Sequence, residues 1–442
     1  MEIRDITDGD LPAVLDERRR AYGPVDAAEA ERWKANVRPY LGQRRYLGVF
    51  DGDRLMGTAR LWDFRQWWHG RALSLGGVAS VAVSPEERGR GVGRFLMRGV
   101  LDRCAELGHL ASALYPMTTP LYRGLGWEHA GARYRVTLPT EALRPLAARD
   151  ARAGLRRIGA ADAAEVIATL DRVHAATRAT GPIAWDENIT RMWLGGENTF
   201  AYLAEDGFVV YRWQEGGIEI DNLVAGSAAT ARALWALVGG ASSAAPKVTA
   251  SVEPDDPMLW LVRERDKDTV AQTRWMFRLV DLPAAVAARG YPAGVRVDTV
   301  VEVDDPQRPA NSGAWRLTVS GGQGGATPAG AASLASTAAA IASTAAVSAS
   351  SAVSIAASAA PDAAPDAAPG GGPGGGPDAG RDGRAAAPGE VPRLTIGGFS
   401  ALFAGVRPQT LRRAGLLAGG TPDSDELLGA AFAAKPYMLD YF

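Results

Sequence analysis

Val78–Leu107 reads VASVAVSPEERGRGVGRFLMRGVLDRCAEL. Val78 to Val83 is a run of small and β-branched residues, which predicts a strand. Ser84-Pro85 predicts a turn, and Arg88-Gly89-Arg90-Gly91-Val92-Gly93 follows it. Apolar residues then recur at Val92, Phe95, Leu96, Val100, Cys104 and Leu107, which is helical spacing. A glycine-rich turn between a strand and a helix lets the backbone approach an anion closely. The helix N-terminus adds free N–H groups and the positive end of the helix dipole. Arg88, Arg90 and Arg94 add formal charge. In physical terms this is a pyrophosphate cradle. The plainer alternative is an ordinary strand–turn–helix with surface arginines. The spacing is not G-x-G-x-x-G, and no acidic residue stands where a ribose would need one, which argues against a dinucleotide turn. Nor is it G-x-x-x-x-G-K-[ST].

The whole-chain properties narrow the classes further. At 442 residues, two or three domains are expected. The net charge of −2 implies no bulk attraction to nucleic acid or to an anionic membrane. A single cysteine excludes an internal disulfide and fits a reducing cytoplasm. Cys104 falls on the apolar stripe of the helix and reads as core. Four unclustered histidines argue against a metal site. The start, MEIRDITDGD, is charged and lacks the apolar stretch of a signal peptide. The long uncharged run from Val319 to Ala360 is Ala/Ser/Gly/Thr rather than Leu/Ile/Phe, so it does not read as a membrane span.

In chain order, Glu2–Ile6 predicts a strand, followed by helices to about Tyr22 and over Ala27–Tyr40. Strands are predicted at Tyr46–Asp51, Arg54–Trp62, Leu73–Val83 and Leu110–Tyr115. Arg133–Leu138 is expected to close the unit. An echo then appears. Ile3-Arg4-Asp5-Ile6 with Asp10 and Val14 matches Leu155-Arg156-Arg157-Ile158 with Asp162 and Val166 at identical spacing. Strands resembling the first copy follow at Phe200–Ala204, Gly207–Trp213 and Ile218–Leu223. After them comes Val224-Ala225-Gly226-Ser227, without the glycine–arginine loop. Gly154 to about Gly290 therefore reads as a copy that kept the fold and lost the cradle. Val295–Val303 and Trp315–Val319 predict strands. Residues 321–392 are low complexity, rich in Gly-Gly, Ala/Ser and Pro-Asp-Ala-Ala, and predict a disordered insertion. Structured signals resume at Arg393 and run to an aromatic tail, PYMLDYF.

The pattern R-x-x-G-x-G after a V-x-V strand and before an amphipathic helix resembles the acetyl-CoA signature of the GNAT N-acetyltransferases. The order of elements matches that fold too. With the degenerate second copy and the pattern of Leu394–Phe403, Thr410–Gly415 and Leu427–Phe432, the chain resembles the Eis (enhanced intracellular survival) acetyltransferases. The resemblance implies an α+β protein of tandem GNAT-like α/β domains followed by a sterol-carrier-like α+β domain. Its parts are a cofactor-binding GNAT unit at 1–150, a degenerate GNAT-like unit at 151–292 and a C-terminal domain at 293–442. The tract 321–392 departs from the family. It further implies a cytoplasmic homohexamer using acetyl-CoA and no metal, with no nucleic-acid or membrane partner. The acceptors implied are small polyamines such as aminoglycosides, or lysine side chains.

Site residues carry over one position at a time. Val81 and Val83, flanking Ala82, match the strand whose backbone pairs with the pantetheine amide. Gly89, Arg90, Gly91, Val92, Gly93 and Arg94 match the pyrophosphate loop. Met117 and Thr118 match a segment at the thiol end, although they differ in type from the small and acidic residues found there. Tyr122, in LYRGLGW, matches the general acid. Phe442 matches a terminal phenylalanine whose main-chain carboxylate is the base. The chemistry is consistent with these types. A tyrosine near pKa ~10 is protonated at neutral pH and can serve a thiolate of parent pKa ~8.5. An α-carboxylate near ~3.5 needs burial or a water relay to take an ammonium proton. Asp26, Glu29, Trp33, Trp62, Trp67 and Trp68 could line an acceptor cleft, but each reads more simply as core or solvated face. The alternative from another class is a lipid-binding or assembly protein with a vestigial acetyl-CoA site.

Overall fold

The computed structural model describes residues 1–146, 154–262, 269–330 and 391–442. The first half contains β1 (Glu2–Asp5), β2 (Tyr46–Asp51), β3 (Arg54–Trp68), β4 (Arg71–Val83), β5 (Ala111–Leu114) and β6 (Glu128–Pro139). Its helices are α1 (Leu11–Tyr22), α2 (Ala27–Val37), α3 (Val92–Glu106) and α4 (Thr119–Arg123). The second half repeats the order with β7 (Arg156–Ile158), β8 (Ile183–Ala184), β9 (Thr199–Ala204), β10 (Gly207–Gln214), β11 (Gly217–Ala225), β12 (Lys247–Val252) and β13 (Thr269–Leu279). Its helices are α5 (Ala163–Ala176), α6 (Glu187–Leu194) and α7 (Ala228–Gly239).

The echo in the sequence is an echo in geometry. Arg4 grips both carboxylate oxygens of Asp10 at 2.8 Å, and Arg156 donates to Asp162 at 2.7 Å. Each aspartate also accepts a backbone N–H three residues earlier, from Thr7 at 2.9 Å and Gly159 at 2.8 Å. The same capping device therefore opens the first helical segment of both halves.

The helix α3 forms because its apolar spacing has a sheet to cover. Val92, Leu96, Met97, Val100, Leu101 and Cys104 are buried along one face, against Leu47, Val49, Leu61 and Val78. Burial pushes the Cys104 thiol up to about 12, which leaves it a packing residue without thiolate chemistry.

Strand β6 does not close the first half beside β5. The large sheet runs β1-β2-β3-β4-β5-β13-β6-β12-β11-β10-β9-β7, with β8 paired to β3. The last strand of the second half, β13, is inserted between β5 and β6, and β6 pairs on its other side with β12. The driving residues are Trp275, Met276 and Phe277 of β13, all completely buried. The two halves are thereby fused into one sheet without an exposed edge between them. The division expected at 150/151 falls in 147–153, outside the described residues.

In both halves the central parallel pair is short. β4 pairs with β5 only over Leu75–Val78 and Ala111–Leu114, then continues to Val83. β11 pairs with β12 only over Gly217–Ile220 and Lys247–Ala250, then continues to Ala225. Each divergence opens a cleft, so the fold contains two.

The third part has a five-stranded sheet, β16-β15-β14-β17-β18, built from β14 (Val297–Asp304), β15 (Gly313–Ser320), β16 (Gln323–Pro328), β17 (Arg393–Thr395) and β18 (Leu417–Ala418). β16 corrects the expected extent of the disordered tract. Residues 323–328 are an ordered strand, antiparallel to β15. Gly324 is there because the Tyr291 ring lies where its Cβ would be, 2.4 Å away; close packing, rather than flexibility, selects the glycine. The rest of the tract, 331–390, lies outside the described residues. This part is anchored to the fused sheet by a fully buried ion pair, Arg278–Asp305 at 2.6 Å. Loss of one partner from such a pair costs about 3–5 kcal/mol. Among the described residues, no helix is long and apolar enough to cross a membrane.

Candidate active site

The cradle sits at the mouth of the first cleft. Gly89 and Gly91 have φ of +79° and +83°, a region that costs a side-chain-bearing residue about 1–2 kcal/mol. A Cβ at either would meet nothing within 4 Å, so the glycines serve backbone conformation and leave open space beside the loop. Gly91 is the N-cap of α3. The first-turn N–H groups of that helix point into the loop's concavity, as helix geometry requires. Glu87, buried beneath the loop, holds Arg90 at 2.7 Å and also pairs with Arg54. Arg88, Arg90 and Arg94 are exposed. Open space, aligned amides and arginine charge together fit a pyrophosphate.

Along β4 the chain is irregular where it leaves β5. Ser80 has φ +51°, and the β3–β4 register shifts between Thr58 and Arg60. A bulge of this kind redirects the backbone groups beside it, here those of Val81–Val83. Tyr22, at the end of α1, donates its hydroxyl to the Val81 carbonyl at 2.7 Å. Tyr22 also interacts electrostatically with Tyr122 and Tyr441, which gathers three phenols at the cleft.

Tyr122 lies on α4 and is buried. Burial, with a smaller push from Tyr22, raises its phenol to about 12. Thr118 is the N-cap of α4. Met117 is 85% exposed and Thr118 is also exposed.

The tail is docked. Tyr115, just past β5, donates to the Asp440 carbonyl at 2.7 Å. The Phe442 ring packs edge-on against Phe64 at 4.8 Å and against Tyr115 at 5.5 Å, while Tyr441 lies 4.4 Å from Tyr115. Phe442 is half-buried. The structure thus gathers the cradle, Val81–Val83, Tyr122 and Phe442 around the first cleft, with the Met117 and Thr118 side chains exposed to solvent.

Beside the tail is a cavity of about 330 Å³, whose lining includes Trp185, Trp193, Asp221 and Asp440. The Asp440 carboxylate accepts from Trp185 Nε1 at 3.0 Å and Asn222 Nδ2 at 3.1 Å. Asp221 accepts from Trp193 Nε1 at 3.0 Å and from Arg212 at 2.7 Å. Burial pushes both carboxyls above their usual range. The residues read as core or solvated face, rather than as acceptor lining, mostly follow that reading. Trp67 and Trp68 are core. Asp26 caps α2 through the Glu29 amide. Trp33 packs with Ile6 and Leu11. Trp62 does face this region, 5.3 Å from Trp185. Among the described residues, no group of three or more His, Cys, Asp or Glu side chains is placed to hold a metal.

Comparison with known proteins agrees with this geometry. An Acetyltransferase (GNAT) domain matches residues 2–130, a second of the same description matches 181–279, and a Sterol carrier protein domain matches 282–365. N-acetyltransferase Eis of Mycobacterium tuberculosis is 27% identical over 311 residues, covering 65% of this chain and 74% of its own. An uncharacterized N-acetyltransferase of Streptomyces avermitilis is 27% identical over 347 residues, covering 72% and 83%. The crystal structure of a GCN5-related N-acetyltransferase from Kribbella flavida is 41% identical, with TM-score 0.84, covering 100% of this chain and 98% of that one. Eis1 from Mycobacterium abscessus, 20% identical, shares the fold at TM-score 0.68 over the full length of both chains. The chain therefore belongs to the GCN5-related N-acetyltransferases, as an Eis-type enzyme of two GNAT domains followed by a sterol-carrier domain.

Proposed function

We propose that the protein N-acetylates small polyamines, with aminoglycosides and lysine side chains as candidate acceptors, using acetyl-CoA bound in the first cleft alone. The observation that carries this reading is the docked tail. Tyr115 and Phe64 fix Asp440 and Phe442 next to the one cleft that has a cradle. The cavity beside them is lined by Glu219, Asp221 and Asp440, by Arg133 and Arg212, and by two tryptophans, Trp185 and Trp193, whose ring faces suit ammonium groups through cation–π attraction.

In this reading the main-chain carboxylate of Phe442 takes the acceptor's ammonium proton, directly or through one water. Acetyl-CoA supplies the thioester carbonyl that the freed amine attacks, with a C–N bond forming and the C–S bond breaking. Tyr122 hydrogen-bonds the sulfur as charge develops and delivers a proton to it. Its raised value keeps the phenol protonated at every working pH. The same burial disfavours a lasting tyrosinate, so the proton moves as the C–S bond opens and is replaced from solvent.

A thiol-release assay over a panel of amines tests the proposal. Acetyl-CoA-dependent release with polyamines and aminoglycosides supports it. No release with any amine, from protein that binds acetyl-CoA, contradicts it.

A further inference from the structure

The second cleft has no cradle, yet it is filled. Val224 of β11, Trp235 of α7, His174 of α5, and Glu253 and Asp256 just past β12 converge on it, together with Tyr437 of the tail. About 60 Å³ of cavity remains among them. Tyr437 belongs to the buried cluster that includes Val173, Phe208 and Val224, and its phenol faces the Glu253 carboxyl. The backbone N–H of Tyr437 donates to the Thr180 carbonyl at 3.1 Å. This is the position that, in the first half, the divergence of β4 and β5 leaves open.

The tail's contacts alternate, as side chains of an extended segment must. Lys435 pairs with Asp255 at 2.6 Å, and Tyr437 and Leu439 both line the second cleft. Met438 and Phe442 instead join the cluster that contains Phe64 and Tyr115. One short strap thus connects the two clefts.

We infer that the second cleft is a socket which positions the C-terminal tail for the reaction in the first, with Tyr437 and Glu253 as positioning residues. A cofactor cleft has been reused to hold this chain's own tail. The electrostatics suit a hydrogen-bonding socket. Burial, reinforced by Asp256 and Asp255, pushes Glu253 up to about 7. Burial alone pushes Asp256 up to about 6 and His174 down to about 3. The Nε2 of His174 is buried without a protein partner.

The inference rests on the reading of Phe442 as the base, and the experiment separates the two. In the full-length enzyme, Tyr437→Phe keeps the ring and removes the hydroxyl. A displacement of about 1 Å at the reacting groups costs on the order of 100-fold, so kcat should fall at least tenfold while KM for acetyl-CoA stays within twofold. Glu253→Leu should behave alike. Glu253→Gln, which keeps an acceptor for the phenol, should retain at least half the turnover. Appending one glycine after Phe442 should remove most activity alone, and Tyr437→Phe should add no further loss on that background, because both act through one carboxylate. Native kcat in Tyr437→Phe and Glu253→Leu, beside an inactive glycine-extended enzyme, overturns the socket and leaves the base assignment standing. Losses that multiply also overturn the socket. A glycine-extended enzyme with native turnover overturns the base assignment and the socket with it.

Discussion

The phenol of Tyr115 donates to the backbone carbonyl of Asp440 across 2.7 Å. This bond ties the point where β5 ends, and the first cleft opens, to the end of the tail. Burial pushes the Tyr115 phenol well above its ordinary range, so it remains a donor at any pH the enzyme meets. A residue of the first GNAT domain thereby holds the segment that ends in Phe442.

Gly91→Val should weaken acetyl-CoA binding. Valine at φ +83° is strained, and its side chain would fill the open space next to the cradle. Calorimetry on the unaltered protein should give one site per chain. In the variant, affinity should fall at least tenfold, with little change in melting temperature. Two sites per chain, or an unchanged affinity, contradicts the assignment of the first cleft as the only cofactor cleft.

Tyr122→Phe should lower kcat by about 10²- to 10⁴-fold, the usual contribution of a positioned acid. KM for acetyl-CoA should change less than threefold. With the phenol held near 12, the unaltered enzyme should show no alkaline fall in rate from this group below pH 10. A fall centred near pH 8 that vanishes in Tyr122→Phe contradicts the strength of its burial.

Asp256→Asn should change how stability depends on pH. The folded value is about 6, against about 3.9 when unfolded. A raised folded value means the contribution is fully present below the unfolded value and is lost as pH rises through about 6. The variant has nothing to lose there, so it should become the more stable protein by about 1–3 kcal/mol at pH 8. The gap should narrow towards pH 5. Thermal melts at both pH values measure it, and a gap independent of pH contradicts the burial of this carboxyl.

The sequence was informative where the physics is local. The cradle is written in the spacing of Gly89, Gly91 and the α3 stripe, and the repeat in Arg4–Asp10 and Arg156–Asp162, each a contact within one turn of chain. PYMLDYF carried an aromatic signal of docking, which the Phe64–Phe442 contact bears out. The insertion of β13 between β5 and β6 carried no such signal. Pairing Met276 with Leu114 joins residues from opposite halves, and either strand alone would suit a closed first unit. The cavity beside the tail was equally hidden, because Trp185, Asp221 and Asp440 come from separate segments and meet only when folded. Gly324 was misread because a glycine chosen for the Tyr291 ring looks the same in sequence as one chosen for disorder.

The most direct test separates the Phe442 carboxylate from its ring. A single appended glycine displaces the carboxylate by up to about 3.6 Å and leaves the phenyl ring free to stay on Phe64 and Tyr115. Turnover of a polyamine should be compared with melting temperature and acetyl-CoA affinity in the same preparation. The account predicts native stability and native affinity with turnover reduced at least 100-fold. Turnover at the native rate would contradict it and move the base to another group.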